Sequence, residues 1–337
     1  MKKILPISVP LSSTYMVPAA EFAILQSYEN GMNYIINRYS QLYLFEDIIK
    51  RESMDLGLSL QTDPFDFNPC FHATKIEMQF EYIIKDFINF IIDSINHGNY
   101  VYTYRYIDEY YIKDTASYNQ YHVIHMFVIY GYDIERKVFN TMGYNSRSIF
   151  SNIEITFEEF TDSIQDIENT GHRYIILVKP NTEYVEKPER DKIKFWIEQY
   201  VKSKNSRIMN RGVMDEIAMT DRLVFGHKIY DYMDMYYHFF VTGAVEIWKM
   251  DRRSLRQLWE HKKIMMKRIE TISEMNLISK DFIKEYKSVL DISSNLQNMQ
   301  TKINLTEDIN ILTRIKEKLK SLAEIEIVVL NNILSEI

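Results

Sequence analysis

One cysteine, Cys70, occurs in 337 residues, so no internal disulfide can form, and the expected compartment is the cytoplasm. No glycine-rich phosphate loop is present, which leaves nucleotide binding without support. Formal net charge is −7 and no basic stripe stands out, which argues against nucleic acid as a partner. Long apolar runs are missing too. The opening MKKILPISVPLSS is broken by Pro6 and Pro10, too short a run for a secretion signal or a membrane span. A membrane partner is therefore not expected.

What the chain has is apolar and aromatic mass. Hydrophobic residues make up 46% and aromatics 14%, enough for a sizeable core and, at this length, for two domains. The stretch from Gly98 to Asp133 reads as two buried strands joined by a polar loop. The first is Tyr100–Ile107; the second, Val123–Tyr132, ends at the turn signal Gly131-Tyr132-Asp133. His122 and His125 open the second strand and, three residues apart, point to opposite sides of a sheet. The same geometry separates them as metal ligands, and Cys70 with His72 falls short of a ligand set, so neither metal nor cofactor is expected. His125 reads equally as a general base or as a hydrogen-bonded core histidine. Asp108 and Glu109 are adjacent at a strand end and read better as a solvated edge than as an acid–base pair.

Around this stretch the pattern is mixed. Pro18 suits the first turn of a helix running to about Glu29, interrupted by Gly31 and followed by an apolar segment over Tyr34–Leu44. Residues 57–70 read as loop. Ile76, Phe80, Ile83, Ile84, Phe87, Phe90, Ile91 and Ile95 lie on one helical face, with Gly98 as its stop. Val138–Met142 closes a hairpin, Thr156 caps a helix to Ile167, and Tyr174–Val178 is a last buried strand. From Asp191 onward only helical patterns are read, the clearest running over Thr306–Leu334 with Thr306 as its cap. The fold class expected is α+β: a domain over 1–185, then an all-helical domain over 186–337, divided by the charged, proline-containing Pro180–Arg190.

The order of helices, then strands with a histidine, suggests a papain-like arrangement, in which a Cys opens an early helix and a strand His serves as base. The stretch DEYYIKDTASYNQYHVIHMFVIYGYD resembles the butirosin-biosynthesis H-type family. So do the opening FAILQSYENGMNYIINRYSQLYL, FGHKIYDYMDMYY, and DRRSLRQLWEHKKIMMKRI with its Glu260-His261-Lys262 run, a run whose expected role is structural. The resemblance spans most of residues 15–270. It implies a papain-like domain related to bacteriocin-leader peptidases, in nonribosomal or other thiotemplated biosynthesis. It also implies acyl transfer, amide formation or hydrolysis on a carrier-bound or small thioester. Partners would be an acyl or peptidyl carrier protein and a small acyl substrate, with a homodimer as an open alternative. The family's thiol would fall near Tyr15–Val17, where this chain has none, and its third triad member near Asn140–Met142. On that footing His125 is the base and Asn140 its orienter. The nucleophile is open among Cys70, Ser12 or Ser13, and none at all; Cys70 reads equally as an inert small hydrophobe. The alternative function is a catalytically inactive relative that binds a carrier protein or an enzyme.

Overall fold

The computed structural model describes residues 1–48, 54, 56–58, 65, 68–77, 84–165, 173–205 and 223–337. They form two compact units, one of Met1–Met32 with Thr62–Glu186, the other of Asn33–Gln61 with Lys187–Ile337. The architecture is mixed α/β, with an antiparallel sheet and helices. No helix among the described residues is long and apolar enough to cross a membrane.

In chain order the elements begin with β1 (Lys2–Ile4), α1 (Met16–Leu25), α2 (Glu29–Arg38), β2 (Leu42–Phe45) and β3 (Gly57–Leu58). Then come β4 (Phe71–Glu77), α3 (Phe87–Asn96), β5 (Tyr100–Asp108), β6 (Ile124–Asp133), β7 (Val138–Tyr144), β8 (Phe150–Thr156), α4 (Phe157–Gln165) and β9 (Tyr174–Pro180). The remainder is α5 (Arg190–Val201), β10 (Leu223–Phe225), α6 (Ile229–Val241), α7 (Ser254–Glu274), α8 (Asp281–Thr306) and α9 (Ile309–Glu336).

The first unit is built on an antiparallel sheet of order β4-β9-β5-β6-β7-β8. β1 adds to β6 through Lys2↔Asp133 and Ile4↔Gly131, taking over the side of β6 that β5 has left beyond Ile129. The expected hairpin is present as β6–β7, with Asp133 opposite Val138. Gly143 in β7 is required by packing: a Cβ there would lie 2.4 Å from the Phe127 ring. The cap at Thr156 is a full capping box. Its Oγ1 accepts from the Glu159 N–H (3.1 Å), and its own N–H donates to Glu159 Oε2 (2.7 Å).

Several expectations are corrected. Ile76 lies in strand β4 opposite Ile175, and the helix with Phe87, Phe90, Ile91 and Ile95 begins only at Phe87 with Asp86 as its cap; residues 78–83 lie outside the described set. Gly31 does not interrupt a helix but sits inside α2, where a Cβ would come within 2.1 Å of the Leu25 carbonyl oxygen. Strand β8 carries a short alternation, with Ile153 and Ile155 buried, between two stronger signals.

The second unit is mostly helical but not wholly so. A small antiparallel sheet, β10-β2-β3, pairs Leu223 with Phe45 and Leu42 with Leu58, so β10 contradicts an all-helical second half. The expected helix over Met209–Phe240 begins at Ile229, and residues 206–222 lie outside the described set. The cap of α9 is Asp308, which accepts from the Asn310 N–H. Thr306 instead ends α8, and Glu307 turns the chain with φ +52°.

A buried polar cluster sits at the centre of this unit. Lys262 and Glu326 are fully buried, with the ammonium 2.7 Å from Oε1 and 2.8 Å from Oε2. The same carboxylate accepts from the hydroxyls of Tyr200 (3.0 Å), Tyr230 (2.8 Å) and Tyr286 (2.8 Å). Four helices, α5 through α8, thus each supply one side chain to a carboxylate carried by the fifth, α9. Burial pushes the Glu326 pKa up, but the Lys262 charge and the hydrogen bonds from Lys262 and Tyr230 outweigh it and hold the group at about 2. His261 donates from Nε2 to the Ser40 carbonyl (2.7 Å) and accepts from Lys262 at Nδ1 (3.2 Å). Burial, aided by the Lys262 charge, drives the His261 pKa well below the ordinary histidine value, so its ring is neutral.

Candidate functional site

The chemistry of the first unit gathers at the end of β5 and the start of β6. Between Thr103 and Ile107 the β5–β6 register shifts, and inside this bulge Arg105 adopts φ +51°. Such a bulge bends and twists a strand and re-aims the residues that follow. Those residues are Asp108, which ends β5, and Glu109, which opens a 3-10 turn over Glu109–Tyr111. Neither carboxylate is solvated: Asp108 is 6% exposed and Glu109 5%, which corrects the reading of a solvated edge.

Each carboxylate takes one histidine. Nδ1 of His125 lies 2.5 Å from Glu109 Oε1, and Nδ1 of His122 lies 2.6 Å from Asp108 Oδ2. A carboxylate accepts from an imidazole N–H, so Nδ1 carries the hydrogen in both contacts and Nε2 lies on the far side of each ring. The carboxylates are fixed in turn. Glu109 Oε2 accepts from Ser117 Oγ (3.2 Å), and Asp108 Oδ1 accepts from the N–H groups of Tyr110 (3.0 Å) and Val123 (3.2 Å).

The rings are braced as well. His122 stacks on Tyr110 at 4.2 Å, and its side chain is 62% exposed. His125 stacks on Tyr144 at 5.5 Å and is 31% exposed. The Tyr144 hydroxyl donates to the Ser13 carbonyl (3.1 Å), which ties the chain leading into α1 to the His125 ring. Among the described residues no hydrogen bond is made at His125 Nε2. The resulting unit is a part-exposed imidazole with a buried carboxylate at Nδ1, the arrangement a general base requires.

The other expected site residues are not brought here. Asn140 pairs with Gly131, six positions along β6 from His125, a separation of roughly 20 Å at the rise of a strand. Its Oδ1 is buried over Gly131, and the group that orients His125 is Glu109. Cys70 adjoins Phe71, which pairs with Pro180 beyond the Tyr100 end of β5, while His125 pairs with Ile107 at the opposite end. That places the thiol roughly 20–30 Å along the sheet from the imidazole. Cys70 is buried beside a small cavity of 170 Å³ lined by Leu25, Tyr28, Phe71 and Pro180. Ser12 is fully buried and Ser13 is 8% exposed. At the start of α1, Met16 is 4% exposed. Sequence reasoning missed Glu109 as the partner; the available signal was an acidic pair 14 and 16 residues before the two histidines, across a loop that strand pairing closes. Among the described residues no group of three or more His, Cys, Asp or Glu side chains is placed to hold a metal ion.

Comparison with known protein families finds no matching family model, and comparison with curated proteins finds no match.

Proposed function

We propose that the first unit is a papain-like acyl-transfer or acyl-hydrolysis domain, in keeping with the resemblance to the butirosin-H type, and that His125 with Glu109 is its base. One observation carries this reading: Nδ1 of His125 is held 2.5 Å from a buried carboxylate while the ring is part-exposed and, among the described residues, no hydrogen bond is made at Nε2. A core histidine is normally satisfied at both nitrogens. The substrate class, a thioester on a carrier protein or small molecule in thiotemplated biosynthesis, comes from the resemblance alone. The test is turnover of acyl thioesters, free and loaded on carrier proteins, by wild type, His125→Gln and Glu109→Gln. Loss of general base catalysis is expected to cost roughly 10²–10⁴-fold in kcat. Glu109→Gln should lower kcat with KM held, because it misplaces the base without removing it. Turnover that is indifferent to both changes refutes the reading.

A second reading has its own observation. The position where the family's thiol would fall holds buried Met16 and no cysteine. It makes the chain an inactive relative that binds a carrier protein, and it requires co-elution of loaded carrier with no turnover across the panel.

A further inference from the structure

We infer that Asp108 and His122 form a clasp that closes the loop after β5 and so positions Glu109 against His125. The inference rests on the proposed reading of the site and goes beyond it, since it makes Asp108, His122 and Ser117 positioning residues for the base.

The loop from Glu109 to Val123 is shut at its neck by main chain and side chain together. The Glu109 N–H donates to the Val123 carbonyl (2.9 Å). Asp108 Oδ1 accepts from the N–H of Tyr110, at the outgoing end, and from that of Val123, at the returning end (3.0 and 3.2 Å). Its Oδ2 takes Nδ1 of His122 at 2.6 Å. One buried carboxylate thus holds both ends of the loop. His122 belongs to the returning end and stacks at 4.2 Å on Tyr110 of the outgoing end, so its ring joins the two ends a second time.

The body of the loop turns back on Glu109. Thr115 Oγ1 lies 2.9 Å from the Glu109 carbonyl and shares its hydrogen with the Ile112 carbonyl (2.9 Å). Ser117 Oγ donates to Glu109 Oε2 (3.2 Å), while Oε1 faces His125 Nδ1 (2.5 Å). Asp108 therefore acts on Glu109 twice, as its chain neighbour and through the loop that carries both hydroxyls. Opening the neck moves the carboxylate relative to the ring, and a misplacement of about 1 Å costs about 100-fold in rate.

The test uses the full chain as wild type, Asp108→Ala, Asp108→Asn and Ser117→Ala, with folding checked by circular dichroism. Long-range proton–nitrogen NMR spectra at alkaline pH report which nitrogen of each imidazole carries the hydrogen, and His122→Ala and His125→Gln supply the assignments. Steady-state kinetics with acyl N-acetylcysteamine thioesters give kcat and KM. Both rings are expected in the Nδ1–H form in wild type. Asp108→Ala should turn His125 into a mixture of the two forms and lower kcat about 10–100-fold, with KM within about twofold. Ser117→Ala, which leaves the neck closed, should lower kcat about 3–10-fold; an unaltered kcat and His125 spectrum there removes Ser117 from the positioning set. In Asp108→Asn the amide oxygen still accepts from the two N–H groups while the NH₂ faces His122, so His122 should change to the Nε2–H form and His125 should not. A wild-type His125 spectrum and kcat in Asp108→Ala overturn the clasp, and so does a change at His125 in Asp108→Asn as large as that in Asp108→Ala. If Asp108→Ala does not fold, the same two readouts are taken from His122→Ala, which removes only one arm of the clasp. A wild type that turns over no thioester overturns the acyl-transfer reading; the His125 spectrum of Asp108→Ala then decides the clasp by itself, a mixture upholding it and the wild-type form overturning it.

Discussion

Replacing Glu326 by Gln removes one charge from a fully buried pair and leaves the Lys262 ammonium without its counter-ion. The carboxylate takes four donor groups in five contacts: Lys262 on both oxygens, Tyr200 and Tyr230 on Oε2, and Tyr286 on Oε1. A glutamine offers one oxygen and an NH₂, so donors must meet a donor where Oε1 or Oε2 stood. Breaking a buried ion pair by removing one partner costs about 3–5 kcal/mol. For a unit of this size each kcal/mol moves the midpoint by roughly 2–4 °C, so thermal unfolding should come about 6–20 °C lower. The informative comparison is with Lys262→Met and the double variant Lys262→Met/Glu326→Gln. The double variant removes both charges and keeps an oxygen for the tyrosine hydroxyls. It should be less destabilised than the sum of the singles by about 2–3 kcal/mol, the coupling expected of neighbours in one network. Differential scanning calorimetry of all four proteins reads this directly. A cost below about 1 kcal/mol for Glu326→Gln, or strict additivity in the double variant, would refute the argument that the pair is desolvated and mutually dependent.

Other outcomes follow from the same geometry. Because the folded-state pKa of His261 lies well below its unfolded value, the neutral ring contributes stability above pH 6.5 that is lost as pH falls. The slope should approach about 1.4 kcal/mol per pH unit below that point, and His261→Asn should flatten it in urea titrations between pH 7 and 5. Glu326, held at about 2, adds a further loss only below its unfolded value of 4.5. Gly143→Ala forces a methyl against the Phe127 ring and should cost about 1–3 kcal/mol by chemical denaturation, with His125 chemistry affected less than stability. Cys70→Ser should leave thioester turnover within about twofold, measured as kcat/KM; a loss as deep as that of His125→Gln would put the thiol back into the reaction.

What could be read from sequence was what local chemistry decides. The Tyr100 and Val123 strands, their hairpin with Val138–Met142, the Thr156 cap and the strand at Tyr174 all announce themselves through β-branched or capping residues within a few positions. The spacing of Ile76 with the apolar residues that follow it suggests a helix, but pairing with β9 makes Ile76 a strand residue. Asp308 rather than Thr306 caps α9 because both precede the same apolar run and the left-handed Glu307 between them carries no glycine. At the site, His125 was legible and its partner was not. Adjacent acidic residues at a strand end ordinarily face water, and only the Arg105 bulge turns Asp108 and Glu109 inward. The pull of Asn140 and Cys70 came from a pattern in order along the chain, and strand register sets both at the far end of the sheet.

The second unit draws residues 33–61 from early in the chain and closes them against helices made much later. Arg268 Nε donates to the Ile36 carbonyl across 232 residues, and His261 reaches the Ser40 carbonyl across 221. At about 5–20 residues per second on a ribosome, the early segment waits roughly 10–50 s for its partners. Through that interval Leu42, Leu44 and Ile48, each fully buried in the finished protein, have no core to enter. Cutting the gene at the 186/187 boundary would make this delay permanent. The N-terminal product would keep two short strands and half a helix whose proper surroundings are encoded downstream. Dissection of this protein thus calls for removing 33–61 along with 187–337, and a nascent chain paused between the two is where a holding chaperone would earn its place.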